Sequence, residues 1–203
     1  MSSKNDKRYQ NLDVCFEQMK KDDQKRLNEY VDELFARNER LLKRKNNGVL
    51  IASSDDSRYV TAYLLARLFV DKKKKVSVVS FQSHNNDFDA SRYFKDTKNI
   101  SFKNETVEYP DEAGDKADKL FASKTSVTIV LSEISHSKNL ESAVASVASE
   151  TFISRFKESD ILEAPYLYDF LVENGVTTNK NTHIFEIDVV KPGFLNFISR
   201  HFL

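Results

Sequence analysis

The sequence predicts an α/β protein: a three-layer, Rossmann-like, mostly parallel sheet with helices on both faces, preceded by an N-terminal helical segment. Three observations predict it. Runs near 49–52, 76–81 and 127–131 are nearly continuous in β-forming residues, the look of strands buried on both faces. Segments with apolar residues at helical spacing separate these runs. The link from the first helix to the second strand is short, so strand, helix and strand form one βαβ unit that crosses over right-handed.

Each element follows from its residues. Residues 1–10 are polar. From Asn11 to Lys45 the pattern is helical, with Leu12, Cys15, Phe16 and Met19, then Leu27, Tyr30, Val31, Leu34 and Phe35, then Leu41 and Leu42 on one stripe. Lys20 to Asp23 divide it into two helices, and the stripe caps the main sheet. Gly48 suits a helix C-cap. Val49 to Ala52 is a strand; Asp55, Asp56 and Ser57 are good N-cap residues for a helix reaching Val70. Asp71 and Lys72 to Lys75 read as a turn, its cations placed at the negative end of that helix. Val76 to Phe81 is a buried parallel strand.

Phe88 to Phe94 reads as a short helix, and Ile100 to Phe102 and Thr106 to Tyr109 as two weak strands. Pro110 to Ser123 is a helix and Val127 to Leu131 a strand. Leu140 to Phe156 reads as one helix, carrying Val144, Val147, Ala148, Phe152 and Phe156 on one face. Pro165 to Val172 is helical and ends at Asn174-Gly175, Ile184 to Val190 is the last strand, and Phe194 to Leu203 closes the chain as an apolar helix. Residues 1–46 are thus expected as a helical extension packed on an α/β domain of residues 47–203.

Composition excludes several function classes. Lys plus Arg equals Asp plus Glu at 31 each, so no global charge draws the protein to nucleic acid or membrane. Cys15 is the single cysteine, which excludes an internal disulfide and a cysteine-built zinc site. No secretory signal or membrane span is legible, so a soluble cytoplasmic protein is expected. Gly and Pro number 4 and 3, where average usage gives roughly 14 and 10 in this length. Scarce glycine disfavours anion cradles, which need backbone to approach the ligand closely.

The loop Ser53-Ser54-Asp55-Asp56-Ser57-Arg58 lies where α/β proteins hold phosphate. Yet neither G-x-G-x-x-G nor G-x-x-x-x-G-K-[ST] occurs, and two acids would repel an anion. Asp55, Asp56, Asp87 and Asp89 with His84 could be imagined as an oxygen-rich metal cluster, but helix capping explains the first two without a metal. Cys15 reads as an inert small hydrophobe, and no G-x-S-x-G elbow is present. His84, His136, His183 and His201 form no i,i+4 pair. No catalytic residue, cofactor or metal is therefore assigned. Ser53 to Arg58, with Ser132, Glu133 and His136, is read as a vestigial pocket.

Residues 49–81 resemble the opening of the YjeF amino-terminal-like domain, in the form carried by enhancer-of-decapping scaffold proteins. The resemblance rests on the strand "VLIAS", the helix end "YLLARLF" and the strand "KVSVVSF". Further on, "VTIVLSEISHSKNL" is similar to the family's central strand and following loop, and "HIFEIDVVKPGF" to its late strand. Enzymatic members are nicotinamide-nucleotide repair epimerases. They use an Asn-Asn-Gly-Gly-Asp-Gly loop after the first strand and an Asp at the end of the central strand. Here those places read Ser-Ser-Asp-Asp-Ser-Arg and Ser132-Glu133. The resemblance thus implies a shortened, non-enzymatic member, and by analogy with the scaffold a dimerising role in RNA and ribonucleoprotein assembly.

The leading expectation is a non-catalytic protein that binds RNA or a ribonucleoprotein, the ribosome included. Lys43, Arg44 and Lys45, with Lys72, Lys73, Lys74 and Lys75, are the candidate phosphate contacts, and the Lys4 to Arg8 tail adds to them. Because acids balance these cations overall, binding requires the two signs to be segregated on different faces. A protein-partner or homodimer module using helices 11–42 or 194–203 is the second expectation. A nucleotide-metabolising enzyme using the strand-end crevice is the third.

Overall fold

A computed structural model describes residues 10–21, 25, 29, 48–71, 74–82, 90–95, 97–123, 126–135, 137–157, 163–187 and 198–201. The chain folds as a three-layer, Rossmann-like α/β structure around a seven-stranded sheet. In chain order the elements are α1 (Gln10–Lys21), β1 (Gly48–Ser53), α2 (Ser57–Asp71), β2 (Lys75–Gln82), a 3₁₀ turn (Ala90–Tyr93), β3 (Ile100–Thr106), α3 (Pro110–Phe121), β4 (Ser126–Glu133), α4 (Asn139–Val147), β5 (Glu150–Phe156), α5 (Glu163–Glu173), β6 (Thr182–Ile187) and β7 (Ile198–His201). The order across the sheet is β3-β2-β4-β1-β5-β6-β7. The first six strands are parallel, and β7 runs antiparallel to β6.

Every residue of β1 is buried. Val49 and Ile51 face one apolar core, Leu50 and Ala52 the other. The first core is covered by α1, α2 and the 3₁₀ turn, the second by α3, α4 and α5. This division follows from handedness: the connection leaving β1 runs one way along the sheet and those leaving β3, β4 and β5 run the other, so right-handed crossovers put them on opposite faces.

Helix α2 is enclosed rather than amphipathic, with 11 of its 15 residues buried. The sheet covers one side of it and α1 the other. The sequence stripe on α1 is used internally: Leu12, Cys15, Phe16 and Met19 are all in the first core. Phe16 stacks on Tyr93 at 4.2 Å between ring centroids and meets Tyr63 edge-on at 5.4 Å. Arg92 ties the same helix down through a 2.8 Å bond to Asp13, which also accepts from the Tyr93 hydroxyl. The rest of the stripe, from Leu27 to Leu42, lies outside the described residues. No helix among the described residues is long and apolar enough to cross a membrane.

Five expectations are corrected. The single helix read from Leu140 to Phe156 is α4 followed by strand β5. The helix stops because Ala148 is extended (φ −76°, ψ 148°) and the Ser149 N–H donates to Gly48 O at 2.9 Å, which starts the ladder of β5 on β1. The helix read at 194–203 is, at Ile198–His201, a strand: β6 presents an unpaired edge, and β7 fills it. Ile184 to Val190 is therefore not the last strand. The two weak strands at 100–109 are one, Ile100–Thr106, because all seven residues pair with β2. Lys75 belongs to β2 rather than to the preceding turn.

Gly48 opens β1 and lets Phe121 of α3 lie against the backbone. A Cβ there would stand 2.3 Å from the Phe121 ring, at the root of the side chain rather than its movable tip. Gly48→Ala is expected to cost about 1–3 kcal/mol, the usual range for overpacking a closed core. Urea unfolding checks this. Phe121→Leu in the Gly48→Ala background should recover part of the loss, whereas additive losses would place the strain elsewhere.

Candidate functional site at the strand ends

All six parallel strands end at one edge of the sheet. There β1 and β4 are neighbours, with Ala52 opposite Ser132 and Ser53 opposite Glu133. Their onward connections part: β1 leads to α2 on one face, and β4 leads to α4 on the other. Such divergence opens the crevice in which α/β sheets hold ligands. The structure therefore brings together two segments that the sequence separates by about 75 residues, Ser53 to Arg58 and Ser132 to Glu133.

Asp55 organises the first segment. Its Oδ1 accepts the Ser57 N–H at 2.9 Å, capping α2, and the Ser53 hydroxyl at 2.9 Å. Its Oδ2 accepts the Phe156 N–H at 2.9 Å and so fixes the loop to the end of β5. Ser53 Oγ also receives the Asp55 N–H at 3.0 Å and lies 3.0 Å from Ser57 Oγ. The loop ties most of its polar groups together without glycine because side chains supply the bonds that close backbone approach supplies in a phosphate cradle. Ser54 Oγ is buried and has no hydrogen-bond partner among the described residues.

Arg58 closes the crevice. Its side chain is only 3% exposed. It donates to Asp55 O at 2.7 Å and to Glu133 Oε2 at 3.3 Å, stands 3.4 Å from Asp56 Oδ1, and lies 4.9 Å from the Tyr59 ring centre. Burial opposes its charge, but the Tyr59 hydroxyl, Asp56 and Glu133 outweigh this, and its pKa is raised. The guanidinium thus keeps its charge under cover. Its buried charge is met by carboxylates and a backbone carbonyl.

Glu141, in the first turn of α4, shapes the second segment. It is fully buried. Its Oε1 accepts the Ser132 hydroxyl and the Ser135 N–H, each at 3.1 Å, and its Oε2 accepts the Ser135 hydroxyl at 2.9 Å. Burial raises its pKa against the lowering effect of these bonds. Lys138, just before α4, takes a left-handed conformation (φ 54°) that lets the chain turn from β4 into the helix without glycine.

Ser53, Ser54, Asp55, Asp56, Ser57, Arg58, Ser132 and Glu133 all lie at this edge. His136 lies outside the described residues, as do Lys43, Arg44, Lys45, Lys72 and Lys73, and as do His84, Asp87 and Asp89. Lys74 and Lys75 are at the opposite, amino-end edge. So is His183, which is buried with Glu150 (Nε2 to Oε2, 2.9 Å) against the Phe152 ring. Sequence reasoning missed Glu141 and the Phe156 N–H. An acid in a first helical turn is too common to single out, and a backbone donor on β5 has no sequence signal at all. Among the described residues no group of three or more His, Cys, Asp or Glu is placed to hold a metal ion. A separate groove of about 380 Å³ runs between α3 and α4 beside Asp111, Asp115 and Asp118, away from these loops.

No protein-family model matches the chain, and no curated protein matches it.

Asp55→Ala removes three hydrogen bonds at once and leaves buried donors without acceptors. The expected loss is about 2–4 kcal/mol, read by denaturant unfolding. Asp55→Asn, which keeps one acceptor oxygen, should lose less. Glu141 predicts a pH dependence of definite sign. Its folded-state pKa lies above the ordinary value of 4.5. The stability it contributes is therefore present in acid and is lost as pH rises through the folded value. Glu141→Gln imitates the protonated acid, so its melting temperature relative to wild type should rise from pH 4 toward neutrality. A difference that stays flat or falls over that window would refute this.

Proposed function

We propose that this chain is a non-catalytic interaction protein that acts on RNA or a ribonucleoprotein, and that it is a divergent relative of the YjeF amino-terminal-like domains. The observation that carries the first part is the commitment of the strand-end loop to its own fold. Asp55 uses both carboxylate oxygens on backbone and Ser53, and Arg58 is covered by Asp55 O, Asp56 and Glu133. A nucleotide phosphate entering here would have to displace carboxylates already paired with the one buried cation of the loop.

The second part is supported by placement. The resemblance aligns Ser53 to Arg58 with a phosphate loop and Ser132-Glu133 with an acid–base position. Those two segments are neighbours in register on β1 and β4. In this reading the residues that would act there have been replaced, and the two segments still lie side by side. A role in RNA handling, as in the decapping scaffold or on a ribosome, follows from this reading together with the basic clusters of the sequence.

Co-sedimentation of the purified chain with RNA and with ribosomes across a salt series tests the reading. Binding at low salt that weakens steadily as salt rises is expected. Failure to bind at the lowest salt overturns it. A nucleotide panel followed by thermal melting discriminates the enzyme alternative, since strong stabilisation by a single nucleotide would favour a small-molecule site instead.

A further inference from the structure

The chain's zero net charge conceals a division along the strand axis. At the carboxyl-end edge, Asp56 and Glu133 beside Arg58 are followed by Glu108, Asp111 and Glu112, with Lys116 held to Thr106 O and Glu112. The amino-end edge has the opposite character where β2 and β3 begin. Lys74 and Lys75 lead into β2. The Val76 N–H donates to Asn99 O at 3.0 Å, which draws the chain before β3 against them. Before β3, Thr97 N–H bonds Phe94 O and Ile100 N–H bonds Thr97 O, each at 3.2 Å, and Asn99 is left-handed at φ 72°. Lys95 and Lys98 are thereby set on the same corner as Lys74 and Lys75.

All four lysines are exposed, and none forms an ion pair with another described residue; Asp71 precedes Lys74 by three residues, and Asp96, outside the described residues, stands between Lys95 and Lys98 in sequence. We infer that this β2–β3 corner, at the amino-end edge of the sheet, is the surface on which the protein takes the phosphodiester backbone of single-stranded RNA. The inference rests on the proposed RNA-binding function and places it on the edge opposite the strand-end crevice. Four exposed cations on one corner outnumber its two sequence-neighbouring acids, and a polyanion that meets them releases its own counterions. An acidic protein partner fits less well, because protein interfaces centre on apolar or aromatic anchors. The exposed large apolar residues among those described, Val14, Tyr109 and Tyr166, belong to α1, the start of α3 and the start of α5, and none is at this corner.

The test uses the full chain and a fluorescent 20-nucleotide uridine RNA, with affinity measured by anisotropy over a salt series. Replacing Lys74, Lys75, Lys95 and Lys98 by Gln should flatten the slope of log affinity against log salt by about 3, at roughly 0.7 for each single-strand phosphate no longer neutralised. Removing charge from α1 with Lys20→Gln and Lys21→Gln should leave the slope as in wild type. If the quadruple variant fails to fold, Lys98→Gln alone should still flatten it by about 0.7. Wild-type slope and affinity in the folded quadruple variant would overturn the corner as the RNA surface while leaving RNA binding intact. Absence of RNA binding by the wild-type chain would overturn both. Displacement of the RNA by polyglutamate, charge for charge, would assign the corner to acidic protein instead.

Discussion

The structure depends on the complete burial of β1. A strand with no exposed residue needs cover on both faces and a hydrogen-bonded neighbour on both edges. Of these, only the cover by α2 comes from residues next to β1 in sequence. The chain supplies the edges with β4 and β5, which arrive about 80 and 100 residues later, and the faces with α1 and α2 on one side and α3 to α5 on the other. Once those partners are in place, the connections must diverge at the carboxyl end of β1. The loop that leaves it must then satisfy its own polar groups in a partly buried place.

That requirement explains the chemistry at the strand ends. In a phosphate-binding α/β protein, glycine lets the backbone approach an anion, and the ligand completes the hydrogen bonding. Here Asp55 and Ser53 complete it internally, Asp55 reaches across to β5, and Arg58 is neutralised by Asp56 and Glu133. Glu141 does the same for the loop after β4. The two loops are thus tied down by side-chain bonds, and Asp55, Asp56, Glu133 and Glu141 each already have a structural partner. Burial of a charged group is tolerated in each case because every such group is paired or hydrogen-bonded.

Much of the architecture was legible because burial on two faces leaves a mark in one dimension. Near-continuous β-forming residues at 49–52, 76–81 and 127–131, each short and rich in Val and Ile, mark strands of a covered sheet. Strand β5 was misread for a definite reason. Phe152 and Phe156 are four apart, a spacing that continues the helical stripe of Val144 and Ala148 and equally marks one face of a strand. Neither Gly nor Pro punctuates the turn at Ala148 and Ser149. Strand β7 was misread because its pairing is decided by the open edge of β6 rather than by its own residues. In the candidate site, Ser53 to Arg58 announced itself by its place after a strand, whereas Glu141 did not.

By itself, the sequence determined the class of fold, the absence of glycine-rich phosphate motifs and the equality of positive and negative charge. These are properties of residue type and local order, which survive in a linear reading. Only the tertiary structure decided which charges share an edge. The acids near β4 and α3 join Asp56 at the carboxyl ends of the strands, and Lys95 and Lys98 join Lys74 and Lys75 at the amino ends. A parallel sheet makes that separation possible: all its strands start at one edge and finish at the other, so residues far apart in sequence but alike in position along a strand become neighbours. Coulomb forces act on that arrangement in space, and no sum over the sequence contains it.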